Sequence, residues 1–179
     1  MNQLTKPELI RKAKKIQLLV LDVDGVMTDG SVFFTALGDE LKAFNILDGQ
    51  GIKALIKHNI GVAIITGRRS PLTAKRANDL NIKHLLQGRE DKKIALTELS
   101  EELAIPFDQI AYIGDDLPDL SAIIASGLGI TVPNCHPFIK QHADFCTQTH
   151  GGKGAVREVS DLILNSKDLL SAHHQSFLI

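Results

Sequence analysis

The sequence predicts an α/β fold: a Rossmann-like parallel sheet flanked by helices, with a protruding β-hairpin and no cap domain. Three observations carry that prediction. Short aliphatic runs recur along the chain, "IQLLVLD", "GVAIIT", "IAYIGD" and "GITV", and near-uniform aliphatic strands belong to parallel sheets covered on both faces. Stretches with helical signals separate these runs, the alternation from which such sheets are built. The first three runs end in Asp22, in Thr66 and in Asp115 with Asp116. Polar chemistry therefore falls beyond the carboxyl ends of the strands, where open α/β sheets bind ligands.

The elements follow in order. Thr5 and Glu8 have capping-box spacing, and Pro7 sits in the first turn of a basic helix running to about Lys15. "IQLLVLD" is the first buried strand. "SVFFT" and "ELKAFNI" flank "ALGD", which predicts a hairpin turning at Gly38. Asp48 is placed to cap a helix through "GIKALIKH". "GVAIIT" is the next strand, and Ser70-Pro71 opens a helix ending near Asn81. A short strand "HLLQ" leads to a long helix from about Asp91 to Ala104. "IAYIGD", a helix from about Leu117 to Ala125, the strand "GITV" and a helix from Gly154 to about Asn165 complete the order.

The 179 residues suit one domain, 1–179, with the hairpin at about 31–46 and a flexible tail at about 168–179. Lys and Arg total 20 against 21 Asp and Glu, a balance without the basic excess that nucleic acid or an acidic membrane surface requires. The N-terminal stretch has no apolar segment of the signal-peptide kind, and Leu18–Leu21 is far too short to span a bilayer. Cys135 and Cys146 are too few for a disulfide framework and are not spaced as zinc ligands. A cytoplasmic protein with no nucleic-acid or membrane partner is expected. The seven histidines have no paired ligand spacing and receive no role.

"VLDVDGVMTDG" crowds Asp22, Asp24 and Asp29 at the edge of the predicted core. Clustered carboxylates repel unless a cation sits among them. An oxygen-only ligand set, free of cysteine and histidine, suits Mg2+. Magnesium points to phosphate, and Thr66 with Lys92 provides a hydroxyl and an ammonium for phosphoryl oxygens.

"DVDGVMTDG", "ITGR", "GREDK" and "GDDLPD" stand in the order of the four motifs of the haloacid dehalogenase superfamily, which the chain resembles from residue 22 to 119. The resemblance implies that Asp22 is the nucleophile, forming an aspartyl phosphate. It implies that Asp24 protonates the leaving alcohol and then activates water; two residues apart on a strand, the pair shares a side. Asp22 and Asp115, with the backbone carbonyl of Asp24, would hold Mg2+. Thr66 and Lys92 would stabilise the transferring phosphoryl group. Asp116 and Asp119 would orient the metal and its waters, while Asp29 with Gly30 shapes a turn.

The intervals between the motifs hold only a hairpin and a helix, then a helix and a short strand, too little for an independent cap. "DVDGVMTDG", "FNILDGQG" and "GGKGAVRE" are most similar to the small capless sugar-acid phosphatases. The resemblance implies hydrolysis of an eight-carbon sugar-acid phosphate to the free sugar acid, which feeds the lipopolysaccharide core, and a homotetramer whose subunits close each other's sites. A nine-carbon sugar-acid phosphate or a broad range of small phosphates is the alternative. Outside catalysis the rivals are a phospho-accepting receiver and an oligomerisation module. Asn45 and Asp48 can address sugar hydroxyls, and Gly49 allows close backbone approach. Arg68 lies beside the phosphate. Arg76 either pairs with the sugar carboxylate or is a solvated helix residue, and Lys53 has the same two readings. In "GGKGAVRE" the glycines form a hinge, or else Lys153 or Arg157 reaches substrate. Phe33 and Phe34, adjacent on a strand, face opposite ways. The hairpin's own domain can cover only one of them, so an assembly through the hairpin is expected.

Overall fold

The computed structural model describes residues 4–178. Helix α1 (Lys6–Lys15) starts where the Glu8 carboxylate accepts from the Thr5 amide at 3.0 Å and the Thr5 hydroxyl at 2.7 Å. Then come β1 (Leu18–Leu21), a hairpin of β2 (Phe33–Phe34) and β3 (Glu40–Leu41), α2 (Ile46–Lys57), β4 (Gly61–Thr66) and α3 (Pro71–Asp79). Next are β5 (His84–Gln87), α4 (Lys92–Leu103), β6 (Ile110–Ile113) and α5 (Leu120–Ala125), the last entered through a 3₁₀ turn at Leu117–Asp119. The chain closes with β7 (Leu128–Thr131), α6 (Pro137–Lys140), β8 (Phe145–Cys146), α7 (Ala155–Ser166) and α8 (Leu170–Gln175).

Six strands form one parallel sheet in the order β5-β4-β1-β6-β7-β8. Alternate side chains of β1 go to opposite layers. Leu19 and Leu21 join Ile52, Leu55, Val159 and Ile163 under α2 and α7, while Leu18 and Val20 join Leu96, Leu99 and Ile123 under α4 and α5. A leucine buried this fully stabilises the fold by about 1.5–3 kcal/mol, and all four residues of β1 are buried. The predicted doubly covered sheet is therefore present.

Register positions the chemistry. Leu21 pairs with Ile64 of β4 and Ile113 of β6, so the three central strands finish nearly flush. Asp22 leaves the sheet with its amide still bonded to the Ile113 carbonyl at 3.0 Å. Chain order runs outward from β1 in both directions, which makes its carboxyl end the crevice of the sheet.

Several expectations change. Helix α2 begins at Ile46, earlier than "GIKALIKH", and its cap is Asn45, whose side chain accepts from the Leu47 amide at 2.7 Å, not Asp48. Gly49 and Gly51 are helical despite their low propensity, because a Cβ at either would collide with a neighbour: Arg76 Nη2 at 2.5 Å for Gly49 and Ser160 Oγ at 2.8 Å for Gly51. Segment 168–179, read as a tail, contains α8, where His173 lies edge-on to His58 at 5.3 Å between ring centroids. The short α6 and β8 were not anticipated. No helix among the described residues is long and apolar enough to cross a membrane.

The hairpin is slighter than predicted, with two residues in each strand. Phe33 and Phe34 are 56% and 65% exposed, so the protomer covers neither face rather than one. Leu37 and Leu41 extend the same exposed apolar surface.

Candidate active site

A cavity of about 340 Å³ opens at the carboxyl ends of β1, β4 and β6. It brings together Asp22, Asp24, Thr66, Arg68, Lys92 and Asp115, six residues that sequence reasoning assigned to chemistry. Gly30, Gly67 and Glu90 complete one wall, Asp116, Pro118 and Asp119 another.

Lys92 is the hub. It stands in the first turn of α4 with its side chain buried, and its Nζ donates to Asp22 Oδ1 at 2.5 Å, Asp119 Oδ1 at 3.0 Å and the Ile65 carbonyl at 3.0 Å. The last contact ties α4 to the end of β4, where buried Thr66 sits. Burial opposes the charge on Lys92, yet the adjacent Asp22 and Asp119 carboxylates hold its pKa above the ordinary value.

Asp119 is saturated. Besides Lys92 it accepts from the buried Tyr112 hydroxyl at 2.8 Å, the Asp115 amide at 3.2 Å and the Asp116 amide at 3.3 Å. It thus fixes the loop that presents Asp115. Close approach makes that presentation possible: a Cβ on Gly25 would fall 2.0 Å from Asp115 Oδ2, and Gly25 has φ +91°. Only glycine tolerates both conditions.

Carboxylate oxygens of Asp22, Asp115 and Asp119 lie within 4.8 Å of one another. Burial, then the neighbouring Asp119 charge, pushes Asp22 up to about 7. Burial, then Asp22, pushes Asp115 up to about 8. Lys92 is committed to Asp22 and Asp119, so the ensemble carries excess negative charge that favours a further cation. An all-oxygen donor set of this size fits a hard divalent ion such as Mg2+.

Asp24 turns elsewhere. Its Oδ1 pairs with the ammonium of Lys42, a side chain only 2% exposed. Sequence reasoning missed Lys42, Glu40 and Tyr112. Glu40 and Lys42 share a side of the second hairpin strand by their two-residue spacing, a signal present in "ELK". Glu40 in turn accepts from Arg68 Nη2 at 2.6 Å and Ser70 Oγ at 3.3 Å.

The remaining predicted substrate residues lie outside this cavity. Asp48 is buried against α7, where Oδ1 accepts from the Arg157 amide at 2.8 Å. Gly49 makes a close approach to Arg76. Asn45, besides capping α2, donates to the Gly152 carbonyl at 3.2 Å and borders a second cavity with Phe44 and Lys153. Lys53 is exposed on α2. Arg76 lies with Lys42, Phe44 and Lys75 along a third cavity, its guanidinium 5.7 Å from the Phe44 ring centre and bonded to the Asn45 carbonyl at 2.9 Å. Lys153 reaches Asp29 at 3.4 Å, and Arg157 reaches Asp161 at 2.8 Å. The "GGKG" glycines are packed rather than hinged: the Gly152 amide bonds the Val26 carbonyl at 2.8 Å, and a Cβ there would strike the Asp29 amide at 2.4 Å. Asp29 itself forms the expected turn, accepting from the Ser31 amide at 3.0 Å.

A haloacid dehalogenase-like hydrolase family model matches residues 77–159. The chain is 50% identical over 163 residues to the 3-deoxy-D-manno-octulosonate 8-phosphate phosphatase of Yersinia pestis, covering 91% of this chain and 87% of that protein. Among solved structures, the enzyme of the same name from Moraxella catarrhalis, in complex with magnesium ion, phosphate ion and a KDO molecule, superposes with a TM-score of 0.95. Its identity is 44%, over 97% of this chain and 99% of that one. The cobalt-bound phosphatase from Haemophilus influenzae gives a TM-score of 0.89 at 40% identity, over 94% of this chain and 99% of that one. Likeness of this extent, in sequence and in backbone, leaves one assignment: the chain belongs to the haloacid dehalogenase-like hydrolases, in the family of the 3-deoxy-D-manno-octulosonate 8-phosphate phosphatases.

Proposed function

We propose that this protein is a Mg2+-dependent phosphatase that hydrolyses 3-deoxy-D-manno-octulosonate 8-phosphate to the free sugar acid and phosphate, a step towards the lipopolysaccharide core. The observation that carries the reading is the meeting of Asp22, Asp115 and Lys92 at the end of β1, in a chain half identical to a phosphatase of that name.

Asp22 is the nucleophile. One carboxylate oxygen bonds to phosphorus as the ester P–O bond breaks, and Asp24 gives a proton to the departing sugar oxygen. Asp24 then takes a proton from the water that attacks the aspartyl phosphate, releasing phosphate and restoring Asp22. Lys92 orients Asp22 and sets its positive charge beside the phosphoryl oxygens, to which the Thr66 hydroxyl donates. The carboxylates of Asp22 and Asp115 and the carbonyl of Asp24 would hold the metal, while Asp116 and Asp119 would steady its surroundings. Bound there, Mg2+ supplies positive charge against the carboxylates and the phosphoryl oxygens.

The sugar extends from this cavity past Lys42 towards Arg76 and Lys75. These line the adjoining cavity and suit the carboxylate at the far end of the ligand. Residues 1–179 act as one catalytic domain, in the cytoplasm, within a homotetramer. Exposed Phe33, Phe34 and Leu37 support an assembly through the hairpin.

The test compares kcat/KM for eight-carbon and nine-carbon sugar-acid phosphates and for simple phosphate esters, with Mg2+ present. A preference of about tenfold or more for the eight-carbon ester is expected; equal values throughout would replace this reading with a generalist phosphatase. Asp22→Asn should abolish turnover of every ester.

A further inference from the structure

The hairpin carries a charge network that the reaction above leaves unused. Lys42 follows β3, and its ammonium is enclosed although the hairpin around it is largely exposed. A buried ammonium is retained only where it is paired. Among the described residues Lys42 has two acidic partners, Asp24 Oδ1 and, at 3.6 Å, Glu40 Oε1. Glu40 continues the chain to Arg68 and Ser70, which follow Thr66 directly after β4. The Ser70 amide is anchored in turn by Gln87 Oε1 at 2.7 Å.

We propose that Lys42 is a positioning residue for Asp24, and that the sequence of contacts Asp24–Lys42–Glu40–Arg68 locks the hairpin to the phosphate-facing loop. The proposal rests on the reading of Asp24 as the general acid–base. A carboxylate two residues beyond the nucleophile has rotamer freedom that proton transfer cannot tolerate, because the donating oxygen must lie within hydrogen-bond reach of the leaving group. Lys42 removes that freedom by holding Oδ1. Oδ2 carries no hydrogen bond among the described residues and is the oxygen left to face the ester. Glu40 keeps the ammonium in place, and Arg68 keeps Glu40 in place. The hairpin is thus tied to the active site through Asp24 and Arg68, as well as being an exposed element.

Leaving-group dependence tests this. An alkyl ester, such as the sugar-acid phosphate, needs a proton on its departing oxygen, whereas 4-nitrophenolate departs without one. Lys42→Met should lower kcat on the sugar-acid phosphate by about 10- to 100-fold, with KM within about threefold. First-turnover release of nitrophenol from 4-nitrophenyl phosphate should change by less than about threefold, and Lys42→Arg should recover most of the lost kcat. A kcat for Lys42→Met within about threefold of the parent, or equal losses on both esters, overturns the proposal. Should Lys42→Met fold poorly, Glu40→Gln removes the next link without emptying the space. It should show the same leaving-group split at smaller size, and a raised KM with unchanged kcat would overturn the proposal. Asp24→Asn is the separate control. Near-normal turnover in that variant rejects the acid–base reading itself, whatever Lys42→Met shows.

Discussion

Replacing Asp48 by asparagine separates charge from shape at one buried position. The side chain lies between α2 and α7, the most extensive helix contact of the fold. Helix α7 starts at Gly154, which has no side chain to cap it, so the Asp48 carboxylate substitutes from another helix by accepting from the Arg157 amide. Its second oxygen, Oδ2, has no hydrogen-bond partner among the described residues. Burial therefore dominates and pushes the pKa from 3.8 up to about 6, against the pull of the α7 amides and Arg76. The folded protein holds this proton more tightly than the unfolded chain does. The stabilising contribution of Asp48 is thus complete below its ordinary value and is lost as pH rises through about 6. At about 1.4 kcal/mol per decade, the ionised carboxylate costs the fold at most about 3 kcal/mol at neutral pH. Asparagine retains the oxygen that caps α7 and never ionises. Asp48→Asn should match the parent near about pH 4 and exceed it by up to about 3 kcal/mol at about pH 7.5. Urea unfolding at matched protein concentration reads the difference. A variant less stable at neutral pH, or a difference independent of pH, would mean that the charge is favourable at the α7 terminus and would refute the reasoning. KM should stay within about twofold; a large rise would return Asp48 to the sugar.

Lys92→Met leaves Asp22 and Asp119 facing each other without their shared ammonium. Loss of about 3–5 kcal/mol in urea unfolding is expected, together with a fall in turnover of at least about a hundredfold; near-parent values of both would contradict the hub role. Mg2+ should raise the Tm of the metal-free protein, by an amount equivalent to about 2.7 kcal/mol at a hundred times its Kd. Asp115→Asn should remove most of that gain, and a gain that survives the substitution would place the ion elsewhere. Phe34→Asp, on a side chain 65% exposed in the protomer, should lower the mass measured by light scattering while the separated protomer stays folded. An unchanged mass would exclude the hairpin as the interface.

The sheet was legible because each central strand is a short apolar run with a polar residue at its end or one or two positions beyond it. Once the register is flush, Asp22, Thr66 and Asp115 must meet. The start of α2 was not legible. Gly49 and Gly51 have low helix propensity, and only the closeness of Arg76 and Ser160 explains why glycine is required there. Asp48 looked like a local cap because the helix that it actually serves begins more than a hundred residues later. Lys42 escaped notice for a similar reason. The alternation in "ELK" shows that Glu40 and Lys42 share a side, but nothing local says that this side faces Asp24.

That concealed pairing bears on why the hairpin exists. Four paired residues give it almost no stability of its own, and its aromatic side chains lie in solvent on the protomer. Its inward anchors are charged, Lys42 on Asp24 and Glu40 on Arg68, and such contacts order the element only while it stays near the cavity. Covering Phe33 and Phe34 with a second chain would add the apolar burial that the protomer lacks, at about 25 cal/mol for each Å² removed from water. Assembly and catalysis would then share one element: the outer side would recruit a neighbour, and the inner side would set the angle of the acid–base. A phosphatase without a cap domain gains from that arrangement the rigid wall that a cap would otherwise provide. Its consequence is directional, since loosening the outer side should reach Asp24, whereas changing Asp24 need not loosen the assembly.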